Sequence, residues 1–268
     1  MEKLQRNERV AALIKYLSDK PGKYFTLNTF TEMFGSAKSS ISEDIAIAAK
    51  LLKKFGMGSI HTIPGAAGGV AYIPGISDKK AARFLTSLCE TLSQNERALP
   101  GGYIYMLDLI YNPETISDIG RIFSGHFMSK NINYVATVET KGIPLAFITA
   151  KYLNVPLVIV RHYSEATDGS SVSINYVSGS SKRIQTMALS IRAIKRNSNI
   201  LFIDDFMKGG GTAKGITELA KEFDSKVVGI GVLIETEEPE KKLVDNYLSL
   251  LTLKSVDEDS GKINIKPT

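Results

Sequence analysis

The chain has 268 residues and a net charge of +5, and its length favours two unequal domains over one compact domain. No apolar run approaches the roughly 20 residues that a membrane-spanning helix needs, so we expect no membrane partner. A single cysteine excludes an internal disulfide, three scattered histidines argue against a metal site, and the first ten residues lack a signal peptide, which together predict a cytoplasmic protein.

The first quarter of the chain is its basic part. Residues 1–74 carry 10 Lys and Arg against 6 Asp and Glu, a net charge of +4, whereas residues 75–268 carry 23 against 22. A small basic module suggests a polyanionic partner such as nucleic acid.

Hydrophobic spacing in this basic part predicts three helices and a hairpin. The first helix ends at Pro21-Gly22, the second runs from about Thr29 to Gly35, and the third starts at Ser40 with a capping box to Glu43. Strand-like residues 59–63 and 70–73 flank the glycine-rich residues 65–69, which is the pattern of a hairpin.

Three helices followed by a glycine-tipped hairpin are typical of a winged helix-turn-helix, which reads duplex DNA with the start of its third helix and its wing. A small helical packing domain with solvated lysines is the alternative interpretation. Pro74-Gly75 marks the predicted boundary between a DNA-binding domain, residues 1–74, and a second domain, residues 75–268. The predicted DNA-binding residues are Arg6, Arg9, Lys38, Ser39, Ser40, Ser42, Gly68 and Gly69.

The second domain is predicted to be α/β, with a parallel sheet covered by helices on both faces. Helices are predicted over residues 79–92, 113–128, 143–153 and 183–195, and strands over 134–138, 156–160, 227–234 and 247–253, with a two-stranded excursion through 171–177. Ligands of such a sheet bind at the carboxyl ends of its strands.

Residues 199–215, NILFIDDFMKGGGTAKG, combine a buried strand, an acidic pair, a glycine loop and the start of a helix. Glycines let the backbone approach an anion, and the first amides of a helix have no intrahelical partners, so the loop suits a phosphate group. Asp204 and Asp205 would repel phosphate but accept hydrogen bonds from sugar hydroxyls, which predicts a sugar phosphate as ligand. An ordinary strand-to-helix turn is the alternative.

Two further loops should meet this motif at the same sheet edge. Glu139-Thr140-Lys141-Gly142 follows a strand directly and suits a second phosphate cluster, although it also fits an ordinary turn. Residues 161–181 are polar and rich in glycine and serine, which fits either a loop that closes over a ligand or a solvated insertion.

The motif at residues 199–215 resembles the phosphoribosyl-pyrophosphate (PRPP) motif of type I phosphoribosyltransferases. In that family the acidic pair holds the ribose 2- and 3-hydroxyls and the glycine loop wraps the 5-phosphate. Residues 139–142 resemble the pyrophosphate loop of adenine and xanthine phosphoribosyltransferases, and residues 161–181 the mobile loop that closes over the pyrophosphate.

The combination of both halves resembles the purine operon repressors of Gram-positive bacteria. Five segments carry this resemblance: AKSSISEDI, GAAGGV, ATVETKGIPLA, SINYVSGSSKRIQTM and ILFIDDFMKGGGTAKG. The resemblance implies a homodimeric, non-enzymatic repressor of purine biosynthesis and salvage genes, released from operator DNA by PRPP, with the alarmone (p)ppGpp competing for the same pocket. It implies no cofactor, with Mg²⁺ considered only as a companion ion of PRPP.

The effector-binding residues that follow from this resemblance and the loops above are Tyr103, Glu139, Thr140, Lys141, Gly142, Ser178, Gly179, Ser180, Ser181, Lys182, Asp204, Asp205, Phe206, Met207, Lys208, Gly209, Gly210, Gly211 and Thr212. Lys208-Gly209 stands where active enzymes usually have Ala-Thr, and no base-recognition hood is recognisable in residues 235–268, which both favour an inactive enzyme fold. An active adenine or xanthine phosphoribosyltransferase with an accessory DNA-binding domain is the rival interpretation.

Overall fold

The computed structural model describes residues 4–65, 68–163, 169–177 and 183–268. Its amino-terminal part is a winged helix, as the sequence predicts. The elements are α1 (Arg6–Ser18), α2 (Leu27–Phe34), α3 (Lys38–Lys54), β1 (Ser59–Ile63) and β2 (Gly69–Ile73). The two strands pair in antiparallel register, with Ile63 opposite Gly69.

The winged helix has a hydrophobic core of its own. Leu13 and Leu17 of α1, Phe30 of α2 and Ile41 of α3 are fully buried together. Burial of such side chains stabilises by about 1.5–3 kcal/mol each relative to exposure, so these residues account for the mutual packing of the helices. The boundary between the two domains at residue 74 stays a prediction.

The remaining residues form an α/β sheet structure. Its elements are α4 (Asp78–Leu92), β3 (Ala98–Leu99), β4 (Tyr103–Ile104), α5 (Leu107–Ile110), α6 (Pro113–Phe127), β5 (Tyr134–Val138), α7 (Ile143–Leu153), β6 (Leu157–Val160), β7 (Ser171–Val177), β8 (Ile184–Ser190), β9 (Asn199–Met207), α8 (Gly211–Lys221), β10 (Lys226–Thr236), β11 (Leu248–Val256) and β12 (Ile263–Pro267).

The main sheet has six strands in the order β12-β11-β10-β9-β5-β6. All neighbours are parallel except β12, which runs antiparallel to β11. On the central strand β9, Leu201 and Ile203 face the core under α6 and α7, whereas Ile200 and Phe202 face the core under α8. The predicted α/β architecture, with helices on both faces of the sheet, is therefore confirmed.

The structure corrects the sequence analysis at two places. Residues 184–190 form strand β8 rather than a helix, and they pair with β7, so residues 171–177 are one strand of the excursion and not two. Ile184, Met187 and Ile191 have helical spacing, but cross-strand pairing and packing of Met187 against Gly215 of α8 determine the fold here. Strand β12 was also missed, because the sequence reading ended the sheet at residue 253.

Helix α7 connects the sheet edge with the winged helix. It begins directly after Gly142 and ends at Leu153, where its last turn contacts Gly22, in the turn after α1. A Cβ atom placed on Gly22 would lie 2.9 Å from Cβ of Asn154, and the amide of Gly22 donates to the carbonyl of Tyr72 in β2. In the described part of the chain, no helix is long and apolar enough to cross a membrane.

Candidate functional site

A cavity of about 600 Å³ lies at the carboxyl ends of β5, β9 and β10. Three stretches line it: residues 139–141 after β5, residues 204–212 at the end of β9, and the β3–β4 hairpin from Leu99 to Ile104. Two loops that are about 65 positions apart in the sequence thus meet at one sheet edge, as parallel strand order requires.

The glycine loop forms the floor of the cavity at the start of α8. Gly210 has φ of +78° and precedes the first helical residue, Gly211, so the first amides of α8 are directed at the cavity. The loop is supported from behind, because the amide of Leu243 donates to the carbonyl of Gly209 over 2.9 Å. The geometry suits a phosphate group held by backbone amides and the positive end of the helix dipole.

The acidic pair is partly buried beside this loop. The amide of Asp205 donates to Oδ1 of Asp204 over 3.0 Å, and the two carboxyl groups also interact directly. Burial and the neighbouring charge of Asp205 raise the pKa of Asp204 well above its usual range. Burial also raises the pKa of Asp205, although the hydrogen bond with Asp204 and the charge of Lys141 oppose that shift. Two neighbouring, partly buried carboxyl groups destabilise the folded protein when they are charged. Carboxyl groups with such raised pKa values are typical of functional sites.

The second loop holds Gly142 tightly against the acidic pair. A Cβ atom on Gly142 would collide with the hydroxyl of Thr137 and would lie 3.1 Å from Oδ1 of Asp204, so only glycine fits. The peptide bond between Glu139 and Thr140 is cis. Lys141 is exposed at the cavity mouth, where its ammonium group suits a second anionic group.

Glu139 has a structural partner within the protein. One of its carboxylate oxygens accepts a hydrogen bond of 2.7 Å from the backbone amide of His162, just beyond β6. The side chain therefore ties the end of β6 to the loop after β5, and His162 itself lines the cavity.

The third wall of the cavity comes from residues that precede the sheet. Arg97 fixes the β3–β4 hairpin, because its guanidinium donates to both carboxylate oxygens of Asp108, over 2.9 and 2.7 Å, and this pairing lowers the pKa of Asp108. The amide of Gly101 donates to Glu258 over 3.0 Å. Tyr103 extends from this hairpin into the cavity rim and remains 59% exposed.

This third wall corrects one argument of the sequence analysis. The sequence analysis recognised no hood in residues 235–268, whereas residues of the stretch 99–106, outside that segment, form one wall of the cavity. The absence of a hood therefore no longer argues against enzymatic activity. The Pro-Gly-Gly-Tyr turn was the sequence feature that could have indicated this wall. Its contact with Glu258 joins residues far apart in the sequence, so no local pattern predicts it.

The structure brings most of the predicted effector residues together. Tyr103, Glu139, Thr140, Lys141 and all nine residues from Asp204 to Thr212 line the cavity, and Gly142 lies buried beneath it. Ser178, Gly179, Ser180, Ser181 and Lys182 lie outside the described residues. Lining residues that the sequence analysis missed are Leu99, Pro100, Gly101, Gly102, Ile104, Met106, Val138, Gln185, Phe202, Ala213, Val232, Ile234 and Thr236, whereas His162 and Tyr176 fall within the predicted loop at residues 161–181.

Tyr176 connects the glycine loop with the β7–β8 hairpin. Its hydroxyl donates to the side-chain carbonyl of Gln185 over 2.8 Å. Burial raises the pKa of Tyr176, and a side-chain hydrogen bond with Thr212 opposes that shift. The hairpin therefore contacts the phosphate end of the cavity.

The predicted DNA-binding residues separate into two groups. Lys38, Ser39 and Ser42 are exposed in the first turns of α3, and Ser40 is half-buried beside them. Gly69 is buried and Gly68 half-buried within the wing, so these glycines shape the hairpin. The start of α3 is Lys38 with Ala37 as N-cap, and the predicted capping box at Ser40 is wrong.

The structure gives Arg9 a role different from the predicted DNA contact. Its side chain is buried, with the residue 8% exposed, and its Nε donates to Oδ2 of Asp44 over 2.7 Å. This buried ion pair ties α1 to α3, and the loss of one partner of such a pair typically costs about 3–5 kcal/mol. Arg6 remains exposed and pairs with Glu43, so its contact with DNA stays a prediction.

The comparisons with known proteins agree with this architecture. A family model described as "Bacterial purine repressor, N-terminal" matches residues 5–74, and one described as "Phosphoribosyl transferase domain" matches residues 107–264. The crystal structure of adenine phosphoribosyltransferase from Thermoanaerobacter pseudethanolicus has a TM-score of 0.51 at 18% identity, covering 56% of this chain and 87% of that chain. That likeness shows the fold alone.

Two relatives cover nearly the whole chain. The purine biosynthesis transcriptional repressor PurR of Bacillus subtilis (strain 168) is 48% identical over 98% of this chain and 93% of that protein. The purine biosynthesis transcriptional activator PurR of Lactococcus lactis subsp. lactis (strain IL1403) is 37% identical over 98% of this chain and 97% of that protein.

Fold, cavity and matches together define a regulator type in which a DNA-binding winged helix precedes a phosphoribosyltransferase-type domain. This confirms the resemblance read from the five sequence segments. The chain belongs to the PurR family of purine biosynthesis transcriptional regulators.

Proposed function

We propose that this protein is a homodimeric repressor of purine biosynthesis and salvage genes, which binds operator DNA and releases it when PRPP fills the cavity. The alarmone (p)ppGpp competes with PRPP for the same residues. The protein does not transfer phosphoribosyl groups. Any Mg²⁺ at the site enters as a companion ion of the pyrophosphate group of PRPP.

The cavity is the single observation that carries this proposal. It brings an acidic pair for ribose hydroxyls, a helix amino end for the 5-phosphate and the Lys141 loop for the pyrophosphate into one cavity. PRPP carries these three chemical groups on one molecule. The same chain supplies a basic winged helix, so occupancy of the cavity and binding of DNA belong to one protein.

The regulation follows from linkage between the two ligands. If PRPP prefers one arrangement of the protein and operator DNA another, each weakens the binding of the other by the same factor, commonly about 5–150. The alarmone would act in the opposite direction by occupying the cavity without favouring the DNA-free arrangement.

Operator binding titrated with PRPP at several salt concentrations tests this function. We expect PRPP to lower operator affinity at every salt concentration, and (p)ppGpp to shift the PRPP titration to higher concentrations. Sedimentation of the free protein tests the dimer. Operator affinity that does not change with saturating PRPP would refute the proposed regulation.

The rival function is an active adenine or xanthine phosphoribosyltransferase, since a phosphoribosyltransferase domain matches residues 107–264. Lys208 and Gly209 support an inactive site, because a lysine beside the phosphates holds an anionic ligand more firmly. Base-dependent pyrophosphate release at ordinary enzyme rates, roughly 1–1000 per second, would favour the enzyme instead.

Activation is a second candidate, because a relative that matches nearly the whole chain, from Lactococcus lactis, is named an activator. A reporter gene under a purine promoter distinguishes the two functions. Deletion of the gene for this protein should raise reporter expression for a repressor and lower it for an activator.

A further inference from the structure

A buried lysine lies behind the glycine loop, in the segment between β10 and β11. Lys242 is only 9% exposed, whereas its neighbour Lys241 is exposed at the surface. Among the described lysines, only Lys242 is buried. Burial of an ammonium group destabilises the folded protein unless the group donates hydrogen bonds to protein acceptors. The burial of Lys242 therefore indicates a specific structural or functional role.

The ammonium group of Lys242 joins two backbone carbonyls. Its Nζ donates to the carbonyl of Thr236 and to that of Pro239, both over 2.6 Å. Burial lowers the pKa of Lys242, and the charges of Glu235 and Glu238 oppose that shift. Lys242 therefore closes residues 236–242 into a compact turn, and charge-assisted hydrogen bonds of this kind are about twice as strong as neutral ones.

We call residues 236–244 the bracing segment, because this closed turn packs against the glycine loop. The hydroxyl of Thr236 lies 3.3 Å from the carbonyl of Lys208, and the amide of Leu243 donates to the carbonyl of Gly209 over 2.9 Å. A Cβ atom on Gly210 would lie 3.2 Å from Cγ2 of Val244, so the two backbones are in close contact.

We propose that Lys242 is a positioning residue, which fixes the bracing segment against Lys208–Gly210 and so directs the loop amides at a phosphate ester. The inference rests on the proposed function, since it assigns a support for the 5-phosphate end of the same cavity. Amides bind an anion well only when their orientation is fixed before binding, because otherwise the binding free energy is spent on ordering the loop.

The support is specific to one end of the cavity. The bracing segment contacts the glycine loop, whereas the loop from Glu139 to Gly142 is held by Thr137, Asp204 and His162. Loss of the Lys242 hydrogen bonds should therefore weaken binding of a phosphate ester more than binding of pyrophosphate. A change that merely destabilised the whole protein would weaken both alike.

Lys242→Met tests the inference in the full-length protein, since methionine keeps the length of the side chain and loses its donors. We expect calorimetry to show about a 10-fold loss of affinity for ribose 5-phosphate, comparable to the loss of supporting residues around metal ligands, and unchanged affinity for pyrophosphate. Operator affinity without effector should stay the same.

Lys241→Met is the matched control, because it removes the same charge from the exposed neighbouring residue and leaves the hydrogen bonds of Lys242 in place. It should bind ribose 5-phosphate as the unchanged protein does. If Lys242→Met does not fold, Val244→Ala removes the methyl group that lies against Gly210 and should give a smaller loss in the same direction.

Three outcomes would overturn the inference: unchanged ribose 5-phosphate affinity in the folded variant, an equal loss for pyrophosphate, or an equal loss in Lys241→Met. The last would indicate a general field effect of positive charge. Failure of the unchanged protein to bind PRPP would instead refute the proposed function, and the inference with it.

Discussion

The cavity and the start of α3 are both suited to anions, but they are built in opposite ways. The cavity presents backbone amides of a loop that is supported from behind, and two partly buried carboxyl groups with raised pKa values. The start of α3 presents the exposed side chains of Lys38, Ser39 and Ser42, which extend into solvent.

This difference sets the size of the effect that a single substitution has in each region. Water screens the charges on α3, so each contributes little and their contributions add. Groups in the cavity interact with one another at a low effective dielectric constant, where electrostatic interactions are stronger than in water. The loss of one group is therefore expected to disable the site. A single substitution in the cavity should therefore cause a large loss of ligand affinity, whereas a single substitution at the start of α3 should cause a small loss of DNA affinity.

The largest effect is expected from removal of the acidic pair. Asp204→Ala combined with Asp205→Ala should lower PRPP affinity by at least about 100-fold, because several hydrogen bonds to charged groups are lost at about 1.5–3 kcal/mol each. Operator affinity without PRPP should be unchanged, and operator release should fail at PRPP concentrations that release the unchanged protein. Normal release from the double variant would show that the ribose binds elsewhere.

The second effect concerns the connection between the two regions through α7. This helix starts at the cavity after Gly142, and its last turn contacts Gly22, whose φ is +70°. A side chain at Gly22 must displace Leu153 and Asn154, and the left-handed backbone conformation costs about 1–2 kcal/mol for a residue other than glycine. We expect Gly22→Ala to lower the factor by which PRPP weakens operator binding.

Gly35→Ala is the control for Gly22→Ala. Gly35 has a similar φ of +57°, but a Cβ atom there would meet no atom within 4 Å. The two variants share the backbone strain and differ in the contact with α7. Equal coupling factors in both, measured by operator titration with and without PRPP, would exclude α7 as the connecting element.

A smaller effect is expected at the start of α3. Lys38→Met should weaken operator binding a few-fold and reduce the slope of log affinity against log salt by about one, as for the loss of one phosphate contact. Lys54→Met removes the same charge at the opposite end of α3, about 24 Å away, which is beyond the screening length of about 8–10 Å. An unchanged slope in Lys38→Met would exclude its phosphate contact.

The same comparison explains which features could be predicted from the sequence. The motif strand, the acidic pair and the glycine loop are contiguous, so their local pattern identified both the fold and one side of the cavity. Strand β8 was misread because its partner β7 is non-local, and Tyr176 lies opposite Gln185 only once the hairpin has formed.

The rest of the site depends on contacts between remote residues. The wall at residues 99–104 is fixed by the contact of Gly101 with Glu258, which is 157 positions away. The burial of Arg9 depends on its pairing with Asp44, 35 positions away. Without knowledge of that pairing, a basic residue in a basic domain is interpreted as a DNA contact. Such pairings leave no periodic pattern in the sequence.

The smallest effect expected is on stability, and its sign differs between Asp204 in the cavity and Asp257 at the surface. The folded protein raises the pKa of Asp204, so it binds that proton more tightly than the unfolded chain does. This contribution is fully present below the unfolded pKa, about 3.9, and is lost as pH rises through the higher folded pKa. Asp204→Asn avoids the loss, so at neutral pH it should unfold with a free energy about 1 kcal/mol higher.

Asp257 provides the opposite case, because hydrogen bonds with Ser260 and the amide of Asp259 lower its pKa. Asp257→Asn should therefore lose stability at neutral pH and approach the unchanged protein as pH falls through the lowered pKa. Denaturant unfolding between pH 7 and about pH 2, below the usual Asp pKa of about 3.9, measures both variants. A gain for Asp204→Asn that is independent of pH would mean that the cost at this position comes from packing and not from charge.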